Sequence, residues 1–307
     1  MPLVSIITST YKHERYLRRT IDSVLSQDYP RIEYLVINDG SPDGTEEILK
    51  SYADRFIWKS QQNMGEVPTL NNAFRMVNGE LVGKLSSDDY LYPNAVKDAV
   101  NLFLSNPELI VVYSDFDLVD ENDVVFQHIH KPDYNLVEAV KNHWCLPGTG
   151  TLFRKEIFEQ LGGFDPEFRI LFDMDFWWRA GLLGPFARSP EPSSAFRQHR
   201  ASQSSMGGER MASETVRFVE KFYQIPNLPQ EFKKVKQAAF SNAFYAAGMQ
   251  SVQNKNIKNA RSYLIKSIQY APWDYLKKSN RTKLRNIIDV IVSPKVALTL
   301  NKLLYKI

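Results

Sequence analysis

Glu80 to Tyr92 reads ELVGKLSSDDYLY: an apolar run through Leu81, Val82 and Leu85 ends in Ser86, Ser87, Asp88 and Asp89, and Pro93 then opens a helical pattern from Ala95 to Leu104. A short buried strand thus delivers two adjacent carboxylates to a loop. In open α/β sheets ligands collect outside the carboxyl ends of the strands, and an acidic pair there can hold a divalent cation together with a phosphate group. The same residues also fit a loop in which Asp88 caps the next helix. A second acidic pair, Asp173 and Asp175 in FDMDFWWR, stands at a helix start, where the two side chains point in different directions and where the helix dipole also favours acids for structural reasons alone. Asp39 in NDGSPDG is a third acid at a strand end, in a sequence that equally suits an Asx-turn.

The elements that must position these groups alternate. Val4 to Ser9 is a β-rich run, and Glu14 to Gln27 places Leu17, Ile21, Val24 and Leu25 on one helical stripe. Ile32 to Ile37 is a second strand, Thr45 to Tyr52 a helix with Glu46 and Glu47 in its first turn, Phe56 to Lys59 a third strand, and Thr69 to Val77 a helix leading into Leu81 to Leu85. Strands alternating with helices at this spacing predict a parallel, doubly wound sheet. No GxGxxG follows the first strand and no GxxxxGK[ST] occurs, which excludes the two commonest nucleotide-binding signatures.

With 307 residues and one cysteine, Cys145, the chain has room for a large domain and a smaller one and no means of forming an internal disulfide. No run of about 18 apolar residues and no signal-like leader occurs, so a cytoplasmic setting is expected. The formal net charge of +3 conceals two halves: residues 221–307 hold sixteen basic and three acidic residues, +13, against −10 for residues 1–220. Such a basic section suits an anionic membrane surface, a pyrophosphate-linked acceptor or nucleic acid, and also an ordinary solvated helical surface. No recognisable nucleic-acid-binding module is present, so none is expected as a partner.

VSIITSTYKHERYLRRTIDSVLSQDYPRIEYLVINDGSPDGT, then NMGEVPTLNNAFRMVNGELVGKLSSDDYL, then LFDMDFWWR, resemble in that order the motifs of family 2 glycosyltransferases, inverting enzymes of the GT-A fold. The likeness covers roughly residues 3–205. It implies an α/β fold with a doubly wound, mostly parallel sheet and helices on both faces, and it sets a glycosyltransferase domain at 1–214, divided into a nucleotide-binding half (1–92) and an acceptor and catalytic half (93–214). The resemblance implies a nucleotide-sugar donor, a Mn2+ or Mg2+ cofactor, and a glycan or polyprenyl-linked acceptor.

Residue by residue, the resemblance assigns Thr10, Tyr11, Asp39, Asn63 and Asp88 to the nucleotide, with Tyr11 stacking on the base and Asp39 accepting its N–H. Asp88 and Asp89 match the end of the Asp-x-Asp motif, with Ser86 in place of its first acid, and either could be the direct cation ligand. Asp173 takes the position of the catalytic base and Asp175 a supporting one. Phe172 stands where the family often has Glu, so no neighbouring like charge is expected to raise the pKa of the base. Trp144, Gly148 and Thr149 fall in the region that faces sugar and acceptor, whereas Trp177 and Trp178 are expected to pack in the core. In AFRQHRASQSS, Arg197 and Arg200 would face the diphosphate as a lid and His199 would be a further metal ligand, although a solvated basic loop fits the same residues. The Gln-x-x-Arg-Trp motif of processive synthases is absent, which implies transfer of one sugar at a time.

Beyond residue 214 strand signals cease, and residues 215–307 are expected to form a basic helical region. Ser241 to Pro272 resembles one tetratricopeptide-type hairpin, with Phe244, Ala247, Gly248, Ala260, Leu264 and Pro272 at its usual positions; one such unit cannot bury its own faces. Arg281 to Ile307 alternates apolar runs with lysines, as either an interfacial or a packing helix would. The expectation is a cytoplasmic, metal-dependent inverting glycosyltransferase, peripheral on the inner face of the cell membrane; the rival is a non-catalytic sugar-nucleotide or glycan-binding protein on the same fold, favoured by Ser86.

Overall fold

The computed structural model describes residues 1–199 and 208–292. By its internal contacts the chain forms two units, one made of Met1–Tyr134 with Cys145–Ser202 and the other of Asn135–Trp144 with Gln203–Ile307.

The first unit opens with the expected alternation: β1 (Val4–Thr10), α1 (Glu14–Leu25), β2 (Ile32–Asn38), α2 (Thr45–Ser51), β3 (Ile57–Ser60), α3 (Glu66–Met76) and β4 (Leu81–Lys84). Helix α3 begins three residues earlier than the sequence indicates. Pro68 lies in its first turn, where the missing N–H would have no helical partner, so the proline does not mark the boundary. Further strands are β6 (Val111–Ser114), β9 (Leu152–Arg154) and β10 (Phe186–Ser189), and the seven-stranded order is β10-β6-β9-β4-β1-β2-β3. β3, β2, β1 and β4 are parallel, with Val4 opposite both Ile32 and Leu81; β9 runs antiparallel between β4 and β6. The chain winds outward from β1 to β3 and then returns to the other side of β1. Right-handed crossovers therefore put α1 and α2 on one face and α3 on the other, and leave a crevice where the direction reverses, between β1 and β4.

Each face has its own core. Leu17, Ile21 and Val24 of α1, Ile48 and Leu49 of α2 and Val96 and Val100 of α4 (Ala95–Ser105) cover Val4, Ile6 and Val36. On the opposite face Phe74 of α3 stacks on Phe158 at 4.7 Å and meets Phe153 and Phe164 at 5.6 and 5.5 Å. Phe158 belongs to α6 (Lys155–Gln160), and Phe176 of α7 (Phe172–Ala180) closes the cluster 5.3 Å from Phe153. Trp177 and Trp178 are buried, in line with their expected packing role.

A second sheet of four strands has the order β5-β11-β7-β8, from β5 (Tyr90–Leu91), β11 (Ser194–Arg197), β7 (Phe116–Val119) and β8 (Val125–Ile129). β5 follows the Asp88–Asp89 loop directly and pairs antiparallel with β11, Tyr90 opposite Ala195 and Leu91 opposite Ser194.

The second unit is helical: α5 (Leu136–Asn142), α8 (Gly208–Phe222), α9 (Gln230–Gln253), α10 (Ile257–Tyr270) and, after short 3₁₀ turns, α11 (Arg281–Ile291). The boundary expected after residue 214 falls inside α8. Helices α9 and α10 pack on each other; of the residues singled out in Ser241 to Pro272, Phe244, Ala247, Gly248, Ala260 and Leu264 are buried and Pro272 is exposed. At Gly248 the helices approach so closely that a Cβ would meet Leu264 Cδ2 at 2.6 Å. Ile287 of α11 packs with Leu264 and Tyr275. The rest of the Arg281 to Ile307 stretch, from residue 293, lies outside the described residues. Among the described residues no helix is long and apolar enough to cross a membrane.

Candidate functional site

The carboxyl ends of β1, β2 and β4 converge beside the crevice. Thr10, the last residue of β1, is 2% exposed, and its hydroxyl has no hydrogen-bond partner. An unpaired buried hydroxyl costs about 1–3 kcal/mol, which makes it a natural receptor for a ligand atom. Tyr11 follows, exposed, with Lys12 Nζ 5.0 Å from its ring centroid. Asp39, just past β2, is buried, and its carboxylate accepts from Gln61 Nε2 (2.8 Å), Met64 N (2.9 Å) and Gly65 N (2.9 Å); Asn63 Nδ2 donates to the Asp39 carbonyl at 2.9 Å. Asp39 therefore fixes the 61–65 turn that leads into α3. A carboxylate has roughly four acceptor positions, so about one remains for an N–H of a ligand.

The pairing of β5 with β11 determines what the loop acids meet. Asp88 Oδ2 lies 3.0 Å from His199 Nε2, across 111 residues of sequence, and His13, immediately before α1, completes a group whose ligand atoms all lie within 4.8 Å of one another. His13 Nδ1 is 2.7 Å from Ser87 Oγ. Asp88 and His199 are in direct hydrogen-bonding contact at that 3.0 Å distance. Two imidazoles and a carboxylate are suitable donors for Mn2+ and its neighbours and, less well, for Mg2+. The chemistry of the donor set thus fits a divalent cation.

Asp89 faces the other way. It is 2% exposed, its Oδ1 accepts from Arg197 N at 2.9 Å and its carbonyl from Thr20 Oγ1 at 2.6 Å. Burial, and then the neighbouring Asp88 charge, hold its carboxyl well above the usual range. Of the two acids left open by the sequence, Asp88 is the one brought to the histidines. Arg197 also differs from expectation. Its guanidinium, 2% exposed, donates to Asp88 O (2.8 Å), Asp120 O (2.9 Å) and Asp123 Oδ1 (2.5 Å), so it braces the acidic loop and does not present itself to a diphosphate. Arg200 lies outside the described residues.

Asp173, near the start of α7, is held above the ordinary carboxylate range by burial; the Lys84 ammonium and the Met174 N–H, 2.7 Å from Oδ1, oppose that shift, and Glu66 adds to it. A like charge does therefore act on the expected base, contrary to the sequence reading. It comes from Glu66 at the first position of α3, not from position 172, where Phe172 packs on Phe164 with centroids 5.1 Å apart. Asp175 is buried and pairs with Arg179 at 2.7 Å, and Arg179 also donates to the carbonyls of Leu161 and Gly163, so this acid supports the Gly162–Gly163 turn. Gly148 lies against Phe116, and the Thr149 side chain is close enough to Asp89 for its hydroxyl to favour the charged form of that carboxylate. Trp144 is half exposed and belongs to the helical unit.

Three contributors escaped the sequence reading. His13 and Glu66 precede the helices expected from Glu14 and Thr69, and Lys84 lies inside the expected strand Leu81 to Leu85; only the fold sets them beside residues far away in the chain.

Residues 5–162 match the model of the family described as glycosyl transferase family 2, and the chain belongs to that family. An uncharacterised glycosyltransferase of Rickettsia typhi is 33% identical over 187 residues, spanning 58% of this chain and 58% of that relative's length. In fold the chain is similar to S. aureus TarS in complex with UDP (TM-score 0.68, 18% identity, 94% of this chain and 89% of that one). It is also similar to the mannosyltransferase PcManGT of Pyrobaculum calidifontis in complex with GDP-Man and Mn2+ (TM-score 0.60, 20% identity, 98% and 87%).

Proposed function

We propose that this chain is a metal-dependent, inverting glycosyltransferase that moves one sugar from a nucleoside-diphosphate sugar, a UDP-sugar, to a hydroxyl of a glycan or lipid-linked acceptor in bacterial surface polysaccharide synthesis, working in the cytoplasm at the inner face of the cell membrane. The observation that carries this reading is Asp173: a half-buried carboxylate, raised in pKa by its desolvation, on the same unit as a two-histidine, one-carboxylate group and an unpaired Thr10 hydroxyl at the strand ends.

In this reading Tyr11 and Thr10 meet the nucleobase, and Asp39 holds the Asn63 turn against it. His13, Asp88 and His199 would hold Mn2+ or Mg2+, which would supply charge neutralisation for the nucleoside diphosphate. Asp173 removes the acceptor hydroxyl proton as that oxygen forms its bond to the anomeric carbon, and the bond from that carbon to the diphosphate oxygen breaks on the opposite face, inverting the configuration. A raised pKa suits a base that works near neutrality. The complexes of TarS with UDP and of PcManGT with GDP-Man and Mn2+ support the donor class and the cation. Gly148 and Thr149 remain the proposed sugar and acceptor contacts within the first unit.

Asp173→Asn keeps the side-chain shape and cannot take a proton. It should lower sugar transfer, or hydrolysis of a donor found by screening UDP- and GDP-sugars, at least about a hundredfold, with little change in calorimetric affinity for UDP and Mn2+. A near-normal rate in this variant overturns the assignment of the base. Ser86, in place of an acid, favours the alternative of a non-catalytic sugar-nucleotide-binding protein, for which the native chain would bind a donor tightly and neither transfer nor hydrolyse it.

A further inference from the structure

Lys84 ends β4 and Glu66 begins α3, and the two side chains pair at 2.7 Å, with 24% and 19% of their surfaces exposed. The same ammonium lies 4.8 Å from the ring centroid of Phe172, the residue that opens α7 and precedes Asp173. One cation thus joins the ends of three elements at the point where the proposed base sits. We propose that Lys84, oriented by Glu66, is a positioning residue for Asp173: the pair fixes how much positive charge the carboxylate meets and thereby sets its protonation. This deepens the glycosyltransferase reading and rests on Asp173 as its base.

The physical argument starts from the surroundings of Asp173. Burial disfavours its charged form, and Phe172, Phe164 and Phe176 make the nearby packing apolar. A carboxylate left alone there would give up its proton only at a higher pH. Lys84 counters this, and Glu66, by sharing the ammonium, limits how far the correction goes. Two other ionisable groups sense Asp173. Lys131, whose ammonium donates to Cys145 O at 3.2 Å, is pulled down by burial, and the Cys145 thiol is pushed up by burial and stays neutral. Lys84 also senses Asp89, and its own pKa is raised although burial, the largest influence on it, lowers it. It remains charged throughout the range in which Asp173 titrates.

The pair therefore predicts shifts of opposite sign. Removing the ammonium should raise the titration midpoint of Asp173, and removing the Glu66 charge should lower it. The experiment is carbon-13 NMR of the full chain labelled at aspartate Cγ, with the Asp173 signal assigned from its loss in Asp173→Asn. In Lys84→Gln the midpoint should rise by about one pH unit or more, since an opposite charge at close range shifts a carboxylate by roughly 1–3 units. In Glu66→Gln it should fall, and in Lys84→Arg, which keeps the charge and guards against a folding defect in Lys84→Gln, it should stay within about half a unit of the native value. The acid limb of donor hydrolysis should move in the same order. An Asp173 midpoint that is the same in native, Lys84→Gln and Glu66→Gln proteins, or that moves the same way in both, overturns the proposal. Opposite shifts in a protein that turns over no donor would uphold the pair and overturn the enzymatic reading instead.

Discussion

A carboxylate that burial pushes above its usual range hinders folding at the pH where it helps proton transfer, and Asp173 has both consequences. Its native state binds a proton more tightly than the unfolded chain does, so its contribution to stability is greatest below the unfolded value of about 4 and declines as pH rises through the raised native value. Asp173→Asn should therefore unfold at a higher temperature than the native chain at pH 7–8, by ~2–4 °C per kcal/mol recovered, and the gain should vanish near pH 4. Scanning calorimetry across that range is the check, and a gain that grows on acidification would contradict the burial argument. At this scale the sequence is informative about acids and poor about their partners. Asp88, Asp89 and Asp173 are legible because strand-loop and helix-start patterns expose them. Asp88 is set apart from Asp89 only by the position of His199, and the roles of His13 and Arg197 depend on contacts across more than seventy residues.

Secondary structure is more legible than pairing. The alternation from β1 to β4 follows from hydrophobic period, and its bounds move by only a few residues. By contrast β5 has two residues and pairs with β11 more than a hundred residues later, a register that no local pattern encodes, yet it brings Asp88 to His199. The α9–α10 hairpin lies between these cases: small residues at Ala247, Gly248 and Ala260 announce close packing without saying how close. Gly→Ala inside a helix ordinarily stabilises by about 1 kcal/mol. At Gly248 the added methyl meets the fully buried Leu264, so overpacking of about 1–3 kcal/mol should win and Gly248→Ala should be destabilising. Combining it with Leu264→Val should cost less than the two changes summed, measured by urea unfolding. A stabilised Gly248→Ala would mean the helices stand further apart.

The whole molecule is electrically divided, and residues 221–307 carry +13. Within the helical unit Trp273 and Leu276 are 78% and 70% exposed, next to Lys277 and Lys278. Aromatic and aliphatic side chains among cations suit the interface of an anionic bilayer. The full chain should sediment with vesicles containing phosphatidylserine and not with neutral ones, less so as salt rises, and Trp273→Ala should weaken the association. Equal behaviour on both vesicle types would leave the charge without a membrane role. The helical unit has one other property. It takes α5 from the middle of the chain, and α5 packs on α9, which begins about ninety residues later. During synthesis α5 emerges from the ribosome well before the surface that covers Leu136, Ala139 and Val140 exists. The unit cannot close until translation has passed α9, and a fragment stopped near residue 202 would leave that apolar stripe without its cover, open to chaperones and to aggregation.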